Sequence, residues 1–216
     1  HILPHTLETA HPAAHSETAH TPLMLVVGVA GASGSGKSTI AAALAERLGG
    51  VVCPEDPRFF LLECPSSYRL RDPASEEPSS VDWPATLAEI RRVIGTGPRA
   101  VVVEHFLLLA NADLVDLCDV IVYASVGTDR AARSLCRERR VARSRRTATE
   151  EAALRRYYDA AVWPAFLRNT HAPFLRLLDA DASRAVVVDA ARPIDRVVDD
   201  AHRAVSSSSS SSSSSC

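Results

Sequence analysis

Five short apolar runs punctuate the chain, and stretches with helical spacing separate them. The first run, Leu23-Met24-Leu25-Val26-Val27-Gly28-Val29-Ala30, is apolar throughout and ends in a glycine-rich segment. A strand without polar alternation suits a parallel sheet covered on both faces. Lys37 to Leu48 follows, with Ile40, Ala41, Leu44, Ala45 and Leu48 at helical spacing and Gly49-Gly50 to stop it. Val51-Val52-Cys53 predicts a short second strand. Ala100 to Val103 predicts a third, ending at Glu104; Asp119 to Tyr123 predicts a fourth and Ala185 to Asp189 a fifth. Helices are predicted over Thr86–Ile94, over an Arg-rich stretch capped by Thr128, and over 193–205. A further helix should start at the capping box Thr147-x-x-Glu150 and bend or end at Pro164. Residues 63–82, rich in Pro, Ser and charge, read as a mobile loop. Strands alternating with helices predict an α/β fold with a parallel sheet, and right-handed crossovers place helices on both faces.

The two ends break this pattern. Residues 1–22 are rich in His, Thr, Pro and Ala without periodicity and read as a disordered N-terminal segment. Ser206 to Ser215, followed by Cys216, cannot bury apolar surface, so 206–216 reads as a flexible low-complexity tail. Residues 23–205 then form one domain. The net charge of −2 offers no global basic field for nucleic acid. No apolar run is long enough to span a membrane. Five cysteines without paired spacing argue against a disulfide framework and suit a reducing, cytoplasmic setting.

Charge becomes informative at one residue. The chain has a single lysine, Lys37; every other Lys or Arg position is Arg. It lies in Gly31-Ala32-Ser33-Gly34-Ser35-Gly36-Lys37-Ser38-Thr39, a full match to G-x-x-x-x-G-K-[S/T] between a strand and a helix. Lys is a slim point charge that reaches between phosphates, where the planar fork of Arg does not substitute. Glycines let the backbone amides turn inward, and the helix start adds its positive dipole end. The phosphates of a nucleotide are therefore expected on Gly31, Ser33, Gly34, Ser35, Gly36, Lys37, Ser38 and Thr39, with Lys37 on the β- and γ-phosphates and Ser38 on Mg²⁺.

Ligands of open α/β sheets bind outside the carboxyl ends of the strands. Asp56 follows strand two and Glu104 follows strand three. One can act as base for an acceptor hydroxyl; the other can organise Mg²⁺ or hold a hydroxyl. The run Arg133, Arg137, Arg139, Arg140, Arg143, Arg145 and Arg146 lacks the interleaved aromatics of a nucleic-acid patch. Part of it is a solvated helix face. Two or three of these arginines can act as a lid that offsets charge during phosphoryl transfer. Trp163 is expected in the core, and Trp83 is a candidate stacking platform.

The loop GASGSGKST, the segment VVVEHFLLL at 101–109 and YYDAAVWPAF at 157–166 together resemble nicotinamide riboside kinases, within the uridine kinase-like group of P-loop small-molecule kinases. The resemblance covers roughly residues 24–200. It implies a five-stranded parallel sheet with a lid, ATP with Mg²⁺, and transfer of the γ-phosphate to a ribosyl 5′-hydroxyl. By position it implies Asp56 as base, with Lys37 and Glu104 as its catalytic companions, and Ser38 and Glu104 at the metal. Arg139, Arg140 and Arg143 fall in the lid segment, Arg139 and Arg143 toward ATP and Arg140 toward the acceptor. Asp82 and Trp83, with Glu104, would hold the riboside. The family carries Gly where His105 stands, which predicts a backbone conformation costly for His. Uridine/cytidine and pantothenate-type kinases, and a catalytically weak ATP-binding regulatory protein, are the alternatives. A GTPase switch is disfavoured, because its guanine-reading motif needs a second lysine.

Overall fold

The computed structural model describes residues 24–53 and 73–211. Its five strands are β1 (Leu25–Gly31), β2 (Val51–Cys53), β3 (Ala100–Glu104), β4 (Val120–Ser125) and β5 (Ala185–Asp189). They form one sheet in the order β2-β3-β1-β4-β5, and every pairing is parallel. In register, Val27 lies between Val102 of β3 and Val120 of β4. The helices are α1 (Lys37–Leu48), α2 (Trp83–Gly95), α3 (Ala112–Asp116), α4 (Arg130–Val141), α5 (Ala148–Tyr157), α6 (Trp163–Phe166), α7 (Ala172–Ala180) and α8 (Ile194–Ser211).

Alternate strand residues feed two cores, one on each face of the sheet. Val27, Val29, Val102, Val120, Val122, Val186 and Val188 pack under α1 through Ile40, Ala41 and Leu44, and under α8 through Val197, Ala201 and Val205. On the other face Val26, Ala30, Val101, Val103, Ile121 and Tyr123 meet Leu87 and Ile90 of α2, Leu114 of α3, and the aromatic row Tyr157, Tyr158, Trp163, Phe166 and Phe174. This is why the central strands β1, β3 and β4 read as unbroken apolar runs: both of their faces are covered, whereas the edge strands leave Val51 and Val187 exposed. Trp163, 4% exposed, is a core residue as expected.

Several boundaries differ from the sequence reading, each for a local reason. α4 is capped by Asp129, not Thr128: Asp129 Oδ1 accepts the Ala132 N–H at 2.7 Å. β4 starts at Val120 because the Asp119 carboxylate instead accepts the Val26 N–H at 2.7 Å. α2 starts three residues before Thr86, with Asp82 accepting from Ala85 N–H at 3.1 Å and Pro84 in the first turn, where its missing N–H costs nothing. Part of the expected mobile loop is ordered. Pro73–Glu76 and Pro78–Ser80 are 3-10 turns, pinned by Trp83 Nε1 on the Pro78 carbonyl at 2.9 Å and by Asn169 Nδ2 on the Glu76 carbonyl at 3.2 Å. Residues 63–72 of that stretch lie outside the described residues.

Pro164 does not end its helix. Helical backbone runs from Ala148 to Ala180 through two π turns, Tyr158–Val162 and Leu167–His171. Each wide turn is followed by a proline in the next first turn, Pro164 and Pro173. A π turn accommodates the carbonyl that a proline cannot satisfy. The capping box at Thr147 and Glu150 is present in both directions. The expected serine tail also begins later than 206. α8 continues to Ser211, because a helix already anchored by Val197, Val198, Ala201 and Val205 propagates at little further cost. Among the described residues no helix is long and apolar enough to cross a membrane, and Cys53, Cys118 and Cys136 are buried and outside any disulfide.

Candidate active site

The carboxyl ends of β1 and β3, adjacent in the sheet, bring the site together. β1 runs directly into the loop 31–38 and then into α1. Gly36 stands at the helix start with φ of 96°, and no side chain caps the first-turn amides there. Those amides and the helix dipole face the loop as an anion site. Lys37 is nearly buried and its Nζ donates to the Ala32 carbonyl at 3.0 Å, so the ammonium is folded back over the loop. Ser38 Oγ donates to Glu104 Oε1 at 2.7 Å, joining the loop to the end of β3. The Ser35 hydroxyl is buried and has no hydrogen-bond partner among the described residues. An unpaired buried hydroxyl costs free energy unless a ligand or water satisfies it.

Helix α4 is seated on this loop. A Cβ built on Gly34 would lie 2.1 Å from the Cys136 carbonyl of α4, and Gly34 has φ of +93°. Glycine there permits a backbone-to-backbone approach that no other residue allows. Arg140 donates to the Ser33 hydroxyl, and the Tyr158 hydroxyl donates to the Ser33 carbonyl at 2.7 Å. Burial, and then the neighbouring Cys136, push the Tyr158 pKa far up, so the phenol remains a donor.

The arginine run divides by partner. Arg133 and Arg137 pair with Asp159 at 3.5 and 2.6 Å. Arg155 grips Glu138, and Arg146 donates to the Val141 carbonyl. The Asp159 and Glu138 pairs tie α4 to the following helical rod, and the Arg146 contact holds the turn between them. Arg140 reaches the phosphate loop, and Arg139 donates to the Ala190 carbonyl beyond β5 at 2.9 Å. Arg143, just past α4, is exposed, and its side chain makes no hydrogen bond among the described residues. Asp56 lies outside the described residues.

Asp82 is the α2 cap, and Trp83 is half-buried with its indole N–H committed to Pro78. The Trp83 ring is tilted against His105 at 5.3 Å, and His105 stacks on Phe106 at 5.4 Å. The expected backbone strain at His105 is absent: no described non-glycine residue has a positive φ. Its ring turns inward, and Nδ1 accepts the Leu107 N–H at 3.0 Å. Burial, helped by the Lys37 charge, pushes the His105 pKa down to about 3, so the ring is neutral.

A small cavity opens beside the loop, between Ser33, Glu76, Phe106, Val162, Phe166 and Thr170. Glu76 is 5% exposed and receives the Tyr157 hydroxyl at 3.0 Å. Sequence reasoning did not single out Glu76, which is one acid in a polar stretch without periodicity. Tyr157 and Tyr158 stood in a noted motif, but their contacts depend on which face of the rod meets the loop.

No protein-family model matches this chain, and no curated protein sequence does. Solved structures do. A gluconokinase from Sinorhizobium meliloti 1021 superposes with a TM-score of 0.54 at 22% identity, covering 87% of this chain and 94% of that one. A deoxyadenosine kinase from M. mycoides with bound dCTP gives 0.54 at 18% identity, covering 85% and 100%. A sugar kinase from Janibacter sp. HTCC2649, in an unliganded structure, gives 0.54 at 16% identity, covering 85% and 95%. The fold is therefore the α/β P-loop NTPase fold, in the form found in small-molecule kinases, with a five-stranded parallel sheet and helices on both faces.

Proposed function

We propose that the chain is an ATP-dependent small-molecule kinase. It phosphorylates the 5′-hydroxyl of a riboside, with nicotinamide riboside as acceptor and nicotinamide mononucleotide as product. The observation that carries the kinase reading is the Ser38–Glu104 contact of 2.7 Å beside Lys37. It places a hydroxyl, a carboxylate and an ammonium at one end of the sheet, beside open helix amides. The gluconokinase, deoxyadenosine kinase and sugar kinase neighbours support phosphoryl transfer to a hydroxyl. The segments 101–109 and 157–166 support the choice of nicotinamide riboside.

The donor set fits Mg²⁺. Ser38 and Glu104 supply hard oxygens, no described group of three or more His, Cys, Asp or Glu residues competes for a metal, and a Mg²⁺ site normally keeps water and phosphate oxygens for its remaining positions. When bound, Mg²⁺ neutralises phosphate charge and orients the transferring group. The loop amides and Lys37 bind the polyphosphate, Arg139 and Arg143 serve the ATP side to offset charge on the equatorial oxygens, and Arg140 serves the acceptor side. Asp56, just beyond β2, is the proposed base for the acceptor hydroxyl, by its place in the sequence.

A coupled ADP-release assay with a panel of ribosides tests this. Stimulation by nicotinamide riboside above uridine, cytidine and pantothenate is expected. Preference for one of those moves the acceptor assignment to it. ATP binding without stimulation by any riboside or alcohol rejects the enzyme and leaves an ATP-binding regulatory module.

A further inference from the structure

The phosphate loop contains a turn whose central peptide can face two ways. The Ser35 N–H donates to the Ala32 carbonyl at 3.1 Å, closing a four-residue turn over 32–35. Gly34, its third residue, has φ of +93°. Ser33, its second, has a negative φ, since no described non-glycine residue has a positive one. Those signs define a type II turn. Glycine in that place also permits type I, which differs by a half-rotation of the central Ser33–Gly34 peptide. The residues of the turn leave the direction of that peptide open, so its surroundings must set it.

Tyr158 supplies the hold. Its hydroxyl donates to the Ser33 carbonyl at 2.7 Å from a fully buried side chain. The ring is tilted against Trp163 at 6.3 Å, and the next residue, Asp159, is gripped by Arg137 of α4 at 2.6 Å, so the phenol has little freedom to follow the peptide. A trans peptide is planar, with its C=O and N–H on opposite edges. Fixing the carbonyl on Tyr158 therefore fixes the Gly34 N–H on the side away from it. Gly34 is buried, and that N–H makes no hydrogen bond among the described residues, which leaves a donor for a ligand. After a flip the phenol would lose its acceptor in a buried site, and a carbonyl oxygen would take the place of the amide presented to the phosphates. We infer that Tyr158 is a positioning residue: through the Ser33 carbonyl it locks the Ser33–Gly34 peptide with its N–H available to the polyphosphate. This rests on the kinase reading above only for the presence of a polyphosphate on the loop.

Two matched variants provide the test. Tyr158→Phe removes the hydroxyl and keeps the ring. Tyr157→Phe, one position earlier on the rod, also removes a buried phenol, but one bonded to Glu76 rather than to the loop. Inorganic triphosphate with Mg²⁺, titrated by calorimetry, is the probe, so that neither base nor acceptor contributes. Tyr158→Phe should weaken triphosphate binding about fivefold, the scale of one net hydrogen bond, and Tyr157→Phe should leave it within about twofold of wild type. The direction of the peptide is read by NMR. In a type II turn the Ser33 Hα lies against the Gly34 amide proton, and in type I it does not. Wild type should show a strong cross-peak between them, and Tyr158→Phe should weaken it in the ligand-free protein. An unaltered cross-peak or an unaltered triphosphate affinity in Tyr158→Phe, or equal losses in the two variants, overturns the inference. If Tyr158→Phe does not fold, wild type decides. A strong cross-peak with a Gly34 amide signal shifted by triphosphate supports the lock; a weak cross-peak or an unmoved signal overturns it. Wild type that binds triphosphate yet phosphorylates no acceptor refutes the kinase and leaves the lock to be read from the same two measurements.

Discussion

Gly34 and Gly36 allow the seating of α4 on the phosphate loop to be measured directly. Both sit in the phosphate loop with nearly equal positive φ, +93° and +96°. Alanine at either position carries the same left-handed backbone penalty, about 1–2 kcal/mol. Their surroundings differ completely. A Cβ on Gly36 meets nothing within 4 Å, whereas one on Gly34 falls 2.1 Å from the Cys136 carbonyl and 2.9 Å from its carbon. Those are backbone atoms of α4 and cannot rotate away, so the helix must shift, an overpacking cost of about 1–3 kcal/mol more. Gly36→Ala should therefore lose about 1–2 kcal/mol and Gly34→Ala about 2–5 kcal/mol in urea unfolding. At roughly 2–4 °C per kcal/mol for a domain of this size, the two melting points should be separated by several degrees. Gly34→Ala should also displace Arg140 from Ser33 and weaken ATP binding. Equal losses in the two variants would refute the reasoning, for they would mean that α4 does not rest on the loop.

Four further outcomes are expected. Lys37→Ala should cost about 3–4 kcal/mol in kcat/KM, the loss of one preorganised electrostatic donor; unchanged kcat/KM removes Lys37 from the mechanism. Ser38→Ala and Glu104→Gln should be non-additive in a double-mutant cycle of Mg²⁺-dependent activity, since they share one 2.7 Å contact; additive losses would separate their roles. Asp56→Asn should reduce turnover far more than ATP affinity, and equal loss of both argues against a base. His105, with its pKa held at about 3 by burial, binds a proton on unfolding at any pH between that value and about 6.5. Its contribution is thus complete above about pH 6.5 and shrinks as pH falls toward 3, by up to about 1.4 kcal/mol per unit. His105→Gln should flatten that slope in pH-dependent denaturation, and an unaltered slope shows that other groups set it.

What could be read from the sequence was whatever lay in local order. The apolar runs specified the central strands, because a doubly covered strand leaves no polar position to confuse the pattern. The phosphate loop was legible because its chemistry is contiguous: strand, glycines, lysine and helix start follow one another in the chain. Where two local signals competed, only the structure chose between them, as when Asp129 rather than Thr128 took the cap and Asp119 turned to the Val26 amide instead of entering β4. The cavity beside the phosphate loop was not legible at all. Glu76, Phe106, Phe166 and Tyr157 come from three separated segments and share no spacing. They meet because the parallel order β2-β3-β1-β4-β5 puts the end of β3 beside the phosphate loop, and because the rod packs across that end with Tyr158 on Ser33 and Tyr157 on Glu76. Proximity between distant segments is set by packing, and the linear pattern of side chains carries no record of it.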